Sequence, residues 1–221
     1  MKILGISDNE VKVLYRPQIT ERFSKIDLIL SCGDLPFFYL DYIISMLNKP
    51  FYYVHGNHYY GVEPSAARGQ QSVWEETNLH RRVVETNGLL LAGIEGSVRY
   101  NLGPYQYTQE EMWQHVFHLV PQFMVNKTKT GRYLDIFISH SPPWGIHDKD
   151  DLPHQGIKAF RWLIRIFKPR LHLHGHIHLY SQDEPRETRV NKTRVMNVYT
   201  YRTIDLIDAP TKDKTPSADD G

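Results

Sequence analysis

The chain has 221 residues, of which 41% are hydrophobic and 23% are charged, and its formal net charge is +1. This length is enough for one sizeable core, and the charge balance excludes a strongly basic field that would favour nucleic acid. A single cysteine, Cys32, excludes an intramolecular disulfide. The first residues lack a signal-peptide pattern and no apolar run reaches the length of a membrane span, so we expect a cytoplasmic protein.

The first third of the chain alternates predicted strands and helices. Apolar runs predict strands at residues 3–7, 27–32 and 51–55, and helical spacing predicts helices at residues 17–24 and 37–47. This order is typical of a parallel sheet with covering helices. Ligands bind at the carboxyl ends of the strands in such sheets, and Asp8, Asp34 and Asn57 fall there.

The rest of the chain continues with strands and helices up to a polar tail. Asn87 and Gly88 predict a hairpin between strands 82–85 and 89–94. A capping box of Thr108 and Glu111 begins a helix. A polar turn is predicted at 126–132 and a helix at 157–167. Further strands are predicted at 134–138, 171–174, 193–199 and 201–207, and the last two are expected to be antiparallel. Residues 1–208 are predicted to form one domain, and residues 209–221 a disordered tail.

Five short polar segments follow these apolar runs, and their order carries the functional signal. They are Asp8-Asn9-Glu10, Gly33-Asp34, Gly56-Asn57-His58, Ser139-His140 and Gly175-His176-Ile177-His178. Carboxylates, an amide oxygen and imidazoles together form a ligand set for divalent ions. The series therefore predicts a site for two metal ions that is built from the ends of several strands.

This series resembles that of the calcineurin-like metallophosphoesterase superfamily, in which D-x-H, G-D, G-N-H, H and G-H-x-H occur in the same order. The resemblance extends over most of the chain. Within the superfamily, the chain is similar to a small single-domain, prokaryotic-type branch. It implies an α/β fold, a metallophosphatase-type two-sheet β-sandwich flanked by helices. Two positions depart from the pattern: Glu10 stands where His is usual, and Tyr59 stands where Asp or Glu is usual.

The resemblance also implies a role for each residue of the series. One ion would be held by Asp8, Asp34 and His178, with Glu10 in the place of the usual His. The other would be held by Asp34, Asn57, His140 and His176. The two ions (Mn, Fe, Zn or Mg) would lie about 3.5–4 Å apart with a bridging hydroxide as nucleophile.

The implied reaction is hydrolysis of a small phosphodiester or phosphomonoester. Asp34 would bridge the two ions, and Asn57 and His58 would contact the substrate. His58 would protonate the leaving oxygen or stabilise charge on the phosphoryl group.

Several residues keep a structural alternative. Asp34 could cap the helix that begins near Pro36, and Glu10 could be a solvated loop residue. The loop that carries His147, Asp148, Asp151 and His154 could line the rim of the site, cap the next helix or be solvated. His172 and His174 are expected to lie in the core or to support the ligands. Residues 96–100 and 105–107 could contact a phosphate or a base, since Arg99 suits a bidentate phosphate contact, but a surface loop with aromatic packing is the preferred prediction.

Two other classes of protein compete with a small-substrate phosphoesterase. A non-catalytic scaffold of the same fold would have lost several ligands, whereas this chain departs clearly at Glu10 and Tyr59 only. A nuclease would be expected to carry a basic groove or an additional domain, and neither is visible in the sequence. The sequence leaves open the substrate, the metal identity and the oligomeric state.

Overall fold

The computed structural model describes residues 1–58, 73–181 and 183–206. Its first sheet has the strand order β12-β1-β2-β3, formed by β1 (Lys2–Ser7), β2 (Leu28–Ser31), β3 (Phe51–Tyr53) and β12 (Thr200–Asp205). The three N-terminal strands are parallel, and β12 pairs antiparallel to β1. The helices α1 (Ile19–Arg22) and α2 (Phe37–Leu47) connect them, as the alternating pattern predicts.

The second sheet has six strands in the order β10-β11-β9-β8-β5-β4. They are β4 (Arg82–Thr86), β5 (Leu89–Ile94), β8 (Ile136–Ser139), β9 (Leu171–His174), β10 (Glu187–Val190) and β11 (Thr193–Asn197). The remaining elements are α3 (Val73–Thr77), the strand pair β6 (Ser97–Val98) and β7 (Gln106–Tyr107), α4 (Gln109–Thr130), a 3₁₀ helix (Leu152–His154) and α5 (Lys158–Phe167).

Alternating side chains of the strands fill the three layers of the core. Ile3 of β1 packs between the sheets with Leu91 and Leu173, whereas Leu4 points to the opposite face and packs with Ile43 of α2. On the outer face of the second sheet, residues of α4 and α5 bury a separate cluster. The result is the predicted sandwich of two sheets with helices outside. None of the helices in the described residues is long and apolar enough to cross a membrane.

Local sequence signals account for several boundaries. Asn87 and Gly88 have φ angles of 50° and 73°, which the hairpin between β4 and β5 requires at both turn positions. The capping box at the start of α4 is present, with Thr108 accepting from the Glu111 N–H and Glu111 accepting from the Thr108 N–H. Both predictions are confirmed.

The predicted polar turn at 126–132 is wrong, because α4 continues to Thr130. The side chain of Asn126 donates to the Tyr133 carbonyl and accepts from Gln122, so its polar groups are satisfied inside the fold. The helix ends at Gly131, whose φ of 76° suits a glycine cap. The prediction from local composition therefore ended this helix too early.

The two closing strands pair differently from one another. β12 is antiparallel to β1, whereas β11 lies in the other sheet, where it is parallel to β9 and antiparallel to β10, so the two strands do not pair with one another. The strand β10 was not predicted, since its alternation of exposed and half-buried residues gives no apolar run. The predicted tail at 209–221 lies outside the described residues.

Candidate metal centre

The polar segments that follow five strands meet at one edge of the sandwich. Asp8, Asp34 and Asn57 follow strands of the first sheet, and His140 and His176 follow strands of the second. His140 lies directly against Asp34 and Asn57, so the contact joins the two sheets. The carboxyl ends of the parallel strands thus form one site.

Sharp backbone turns carry three of these residues. Asp8, Asp34 and His176 have φ angles of 65°, 56° and 67°, in the left-handed region that residues other than glycine rarely adopt. The Asp8 carboxylate accepts the His176 backbone N–H at 2.9 Å and 3.1 Å, so two of the turns stabilise each other. Strained backbone of this kind is concentrated at functional sites.

Two glycines allow the turns to approach one another. Gly33 has a φ of 95°, and a Cβ atom there would lie 2.5 Å from the backbone nitrogen of Gly56. A Cβ on Gly56 would lie 1.9 Å from Oδ1 of Asp34. Position 56 therefore requires glycine as long as the Asp34 carboxylate stays where it is.

His140 is at the centre of the site and is fully buried. Its Nδ1 donates to the Cys32 carbonyl oxygen at 2.7 Å, because a carbonyl can only accept. Its Nε2 faces Oδ2 of Asp34 at 3.2 Å and Oδ1 of Asn57 at 2.9 Å. The second ring nitrogen therefore points at two oxygen atoms.

These atoms fit a bound cation. Asp8, Asp34 and His140 offer ligand atoms that all lie within 4.8 Å of one another. When the His140 ring is neutral and protonated on Nδ1, the lone pair of Nε2 faces the lone pairs of two oxygens. A proton on Nε2 or a metal ion relieves this repulsion, and carboxylate, amide and imidazole donors suit Mn, Fe, Zn and Mg.

The electrostatics of the site favour positive charge. Burial by itself lowers the pKa of His140, but the Asp34 and Asp8 carboxylates outweigh it and raise that pKa to about 9. Burial raises the pKa of Asp8, and repulsion from Asp34 adds to the effect. Burial also acts upward on Asp34, but His140 outweighs it and holds the pKa of Asp34 below its ordinary value. Carboxylates that attract a proton to His140 would equally attract a divalent cation.

The predicted ligands His176 and His178 contribute no atom to the cluster of Asp8, Asp34 and His140, and each ring has a contact on one of its nitrogens. Nε2 of His176 donates to the Pro153 carbonyl at 2.7 Å, which leaves Nδ1 free to bind a metal. Nδ1 of His178 lies 3.3 Å from the Tyr180 hydroxyl, and its Nε2 lies 3.9 Å from Oδ1 of Asp8. Metal-binding histidines in proteins usually have such a partner on the other ring nitrogen.

His58 and Glu10 are the more open members of the predicted set. The His58 side chain is 62% exposed, and its Nε2 lies 3.9 Å from Oδ2 of Asp34. Its backbone N–H donates to Oδ1 of Asp34 at 2.9 Å. Glu10 is exposed and lies outside the cluster of converging ligand atoms. Tyr59 lies outside the described residues.

The alternative role of Asp34 as a helix cap is not observed. Pro36 precedes α2, and no side chain caps that helix. The Asp34 carboxylate instead accepts from His58 and contacts His140. Its contacts therefore lie within the cluster and not at the start of the helix.

The polar residues of the loop between β8 and α5 make different kinds of contact. Asp148 accepts the N–H groups of Gly145 and Gly156 and so closes the loop on itself. Asp151 contacts Nδ1 of His154 at 2.5 Å, and the His154 ring lies 5.3 Å from the His176 ring. The pair of Asp151 and His154 thus lies at the rim of the site. The first N–H of α5, at Lys158, donates to Oε1 of Gln109 at 3.0 Å and not to a residue of this loop, so the capping alternative is not observed.

His172 and His174 are fully buried, as expected. Burial lowers the pKa of His172 to about 3, and its Nε2 lies 2.8 Å from the Ser139 hydroxyl. Nε2 of His174 lies 2.9 Å from Nδ1 of His147, whose Nε2 contacts Thr188. His172 and His174 thus support the second sheet beneath the site. Because His147 contacts His174, it does not lie at the rim.

Tyr100 is a site residue that the sequence reasoning missed. Its hydroxyl accepts a hydrogen bond from Nδ2 of Asn57 at 3.0 Å. The neighbouring Arg99, which could have been a phosphate contact, instead pairs with Glu111 at 2.8 Å. No spacing rule links Tyr100 to Asn57, because the contact depends on how the loop between β6 and β7 lies against the end of the first sheet.

Comparison with known proteins identifies the family. Residues 1–180 match the model of calcineurin-like phosphoesterases. The chain therefore belongs to the calcineurin-like phosphoesterase family. No curated protein matches the chain.

Solved structures share the fold. TT1561 of Thermus thermophilus has a TM-score of 0.60 and 18% identity, over 90% of this chain and 89% of its own. A hypothetical protein from the same organism has a TM-score of 0.52 and 15% identity, over 89% of this chain and 75% of its own. Another crystal structure has a TM-score of 0.63 and 14% identity, over 92% of this chain and 94% of its own.

Proposed function

We propose that this chain is a metal-dependent phosphoesterase that hydrolyses a small phosphodiester or phosphomonoester with two divalent ions. The observation that carries the proposal is the convergence of Asp8, Asp34 and His140, whose ligand atoms lie within 4.8 Å of one another. Family membership supports the reaction class, because the convergence occurs within the matched residues.

The proposed ligands divide into two sets that share Asp34. Asp8, Asp34 and His178 would hold one ion, with Glu10 as a further candidate. Asp34, Asn57, His140 and His176 would hold the other. When bound, two divalent ions supply a nucleophile from water at neutral pH and offset the negative charge of the phosphoryl oxygens.

The protein's own groups would complete the reaction. The exposed His58 ring faces solvent beside Asp34, where a substrate can reach it. There it can donate a proton to the leaving oxygen or a hydrogen bond to the phosphoryl group. The Asp34 carboxylate accepts the His58 backbone N–H, so the backbone of the proposed proton donor is fixed beside the proposed shared ligand.

A paired assay tests this function. Purified protein is stripped with a chelator and assayed on bis(4-nitrophenyl) phosphate and on 4-nitrophenyl phosphate, with and without added Mn²⁺. We expect turnover of at least one ester that depends on the metal and is lost in Asp34→Asn. Absence of metal-dependent turnover on both esters would favour the non-catalytic scaffold.

A further inference from the structure

Tyr100 contacts a proposed ligand from a loop that carries no ligand of its own. Asn57 is only 3% exposed, and its amide lies between the Tyr100 hydroxyl at 3.0 Å from Nδ2 and His140 Nε2 at 2.9 Å from Oδ1. The two ends of an amide have nearly the same shape, but only the oxygen can bind a cation. The direction of this amide therefore decides whether Asn57 is a ligand.

The Tyr100 hydroxyl stabilises the direction that presents the oxygen to the site. With the oxygen toward His140, the buried N–H group needs an acceptor, and Tyr100 supplies it. Without that acceptor the N–H would remain unpaired, which is costly for a buried group. Loss of the Tyr100 hydroxyl would therefore weaken the hold on the direction in which Asn57 presents its oxygen to the site.

The loop around Tyr100 is held by one buried side chain. Oε1 of Gln106 accepts the N–H groups of Tyr100 and Asn101, both at 3.1 Å. Nε2 of Gln106 donates to the side-chain oxygen of Asn101 at 2.7 Å. Gln106 is only 5% exposed. The position of Tyr100 is therefore fixed by hydrogen bonds to a buried side chain.

We propose that Tyr100 is a positioning residue of the metal centre, which holds the Asn57 amide with its oxygen toward the cation. The proposal rests on the function proposed above, since it assumes that Asn57 binds a metal. It assigns to this loop a task in metal affinity rather than in substrate contact.

A double-mutant cycle separates this role from a structural one. In Tyr100→Phe we expect Mn²⁺ to bind about 10- to 100-fold more weakly at one of the two sites, as for other residues that orient ligands. In an Asn57→Asp background the same Tyr100→Phe change should alter Mn²⁺ affinity by less than about 3-fold. A carboxylate presents oxygen in either direction and has no N–H that needs an acceptor.

Calorimetric titration of chelator-stripped protein with Mn²⁺ measures all four proteins without reference to activity. Tyr133→Phe is the matched control, because this half-buried tyrosine packs against Phe167 away from the site. Urea unfolding in the presence of chelator measures the stability of each variant, so a general loss of structure is recognised.

The outcomes are distinct. An equal loss of Mn²⁺ affinity in both backgrounds, or no loss in either, would overturn the positioning role. Absence of Mn²⁺ binding by the unaltered protein would overturn the proposed function together with it. Binding that Asn57→Ala weakens but Tyr100→Phe does not would overturn the role of Tyr100 alone.

Discussion

Oδ2 of Asp34 lies 3.2 Å from Nε2 of His140, and through this contact the two sheets of the sandwich share one buried charge pair. Asp34 also accepts the His58 N–H and approaches the His58 ring. One carboxylate therefore touches the proposed proton donor, the proposed ligand of the second sheet and the centre between them. Changes at Asp34 should therefore affect metal binding, and their effect on stability should be measured alongside it.

Asp34→Asn tests the shared ligand. The amide keeps the size of the side chain and can still accept the His58 N–H, but it removes the negative charge that both ions would share. We expect the metal content of the purified protein to fall at both sites, as measured by elemental analysis. Asp27→Asn is the control, because this exposed carboxylate accepts the Lys2 N–H far from the site. Undiminished metal content in Asp34→Asn would show that Asp34 is not the shared ligand.

His58→Ala separates binding from chemistry. The hydrogen bond to Asp34 comes from the backbone N–H, so alanine preserves it and metal content should be retained. Turnover should fall by about 10²–10⁴-fold if the ring donates a proton. The loss should shrink for esters whose leaving groups need no proton. His118→Ala, at an exposed position that contacts Arg81, is the control. An equal loss for good and poor leaving groups would leave only phosphate positioning.

The sequence predicted the features that depend on short-range order. Strand ends, the turn at Asn87 and Gly88 and the capping box at Thr108 follow from periodicity and turn chemistry, so each was predictable. The order of polar segments at strand ends also predicted which side chains would meet. Parallel strands bring their carboxyl ends to one edge, whatever the length of the connections between them.

Features that depend on tertiary contacts were not predictable. The polarity of residues 126–132 indicated a turn, but the buried Asn126 finds partners only when α4 packs in the fold. The partner of Asn57 is Tyr100, a residue 43 positions away that is held by Gln106. Single-sequence patterns carry no information on such pairs, because no period or local propensity connects them.

Glu10→Ala and Glu10→His test the departure from the family pattern. If Glu10 binds the first ion, alanine should lower the metal stoichiometry at that site. Histidine should restore it and shift preference from Mg²⁺ and Mn²⁺ toward Zn²⁺, because a softer neutral ligand replaces a carboxylate. Competitive metal titration measures both effects. Unchanged stoichiometry and preference in Glu10→Ala would make Glu10 a solvated loop residue, consistent with its exposed position.

Gly56→Ala tests the close approach beneath Asp34. The added Cβ would lie 1.9 Å from Oδ1 of Asp34, so the carboxylate must move and Mn²⁺ binding should weaken at least about 10-fold. Gly131→Ala is the matched control, since its φ is 76° but no atom lies within 4 Å of the new Cβ. It should cost about 1–2 kcal/mol of stability and leave Mn²⁺ affinity unchanged. Equal Mn²⁺ affinity in the two variants would contradict the steric argument.

Glu95→Gln tests a buried carboxyl outside the metal centre. Burial raises the pKa of Glu95 from 4.5 to about 7, although the Tyr107 hydroxyl opposes the shift by donating to it at 2.7 Å. Nε2 of His80 lies 3.6 Å away, but burial lowers the pKa of His80 to about 3, so it adds no positive charge near neutral pH.

The folded state therefore holds the Glu95 proton more tightly than the unfolded state. Its contribution to stability is fully present below the unfolded pKa of 4.5 and is lost as the pH rises through about 7. The free energy of unfolding of Glu95→Gln should consequently rise relative to the unaltered protein between these values, by up to about 3 kcal/mol. Buried histidines such as His172 give stability the opposite pH dependence, but they are common to both proteins and cancel in the difference. Urea unfolding of both proteins from pH 4 to 8 measures that difference, and a curve that stays flat across this range would show that Glu95 titrates as an exposed carboxyl does.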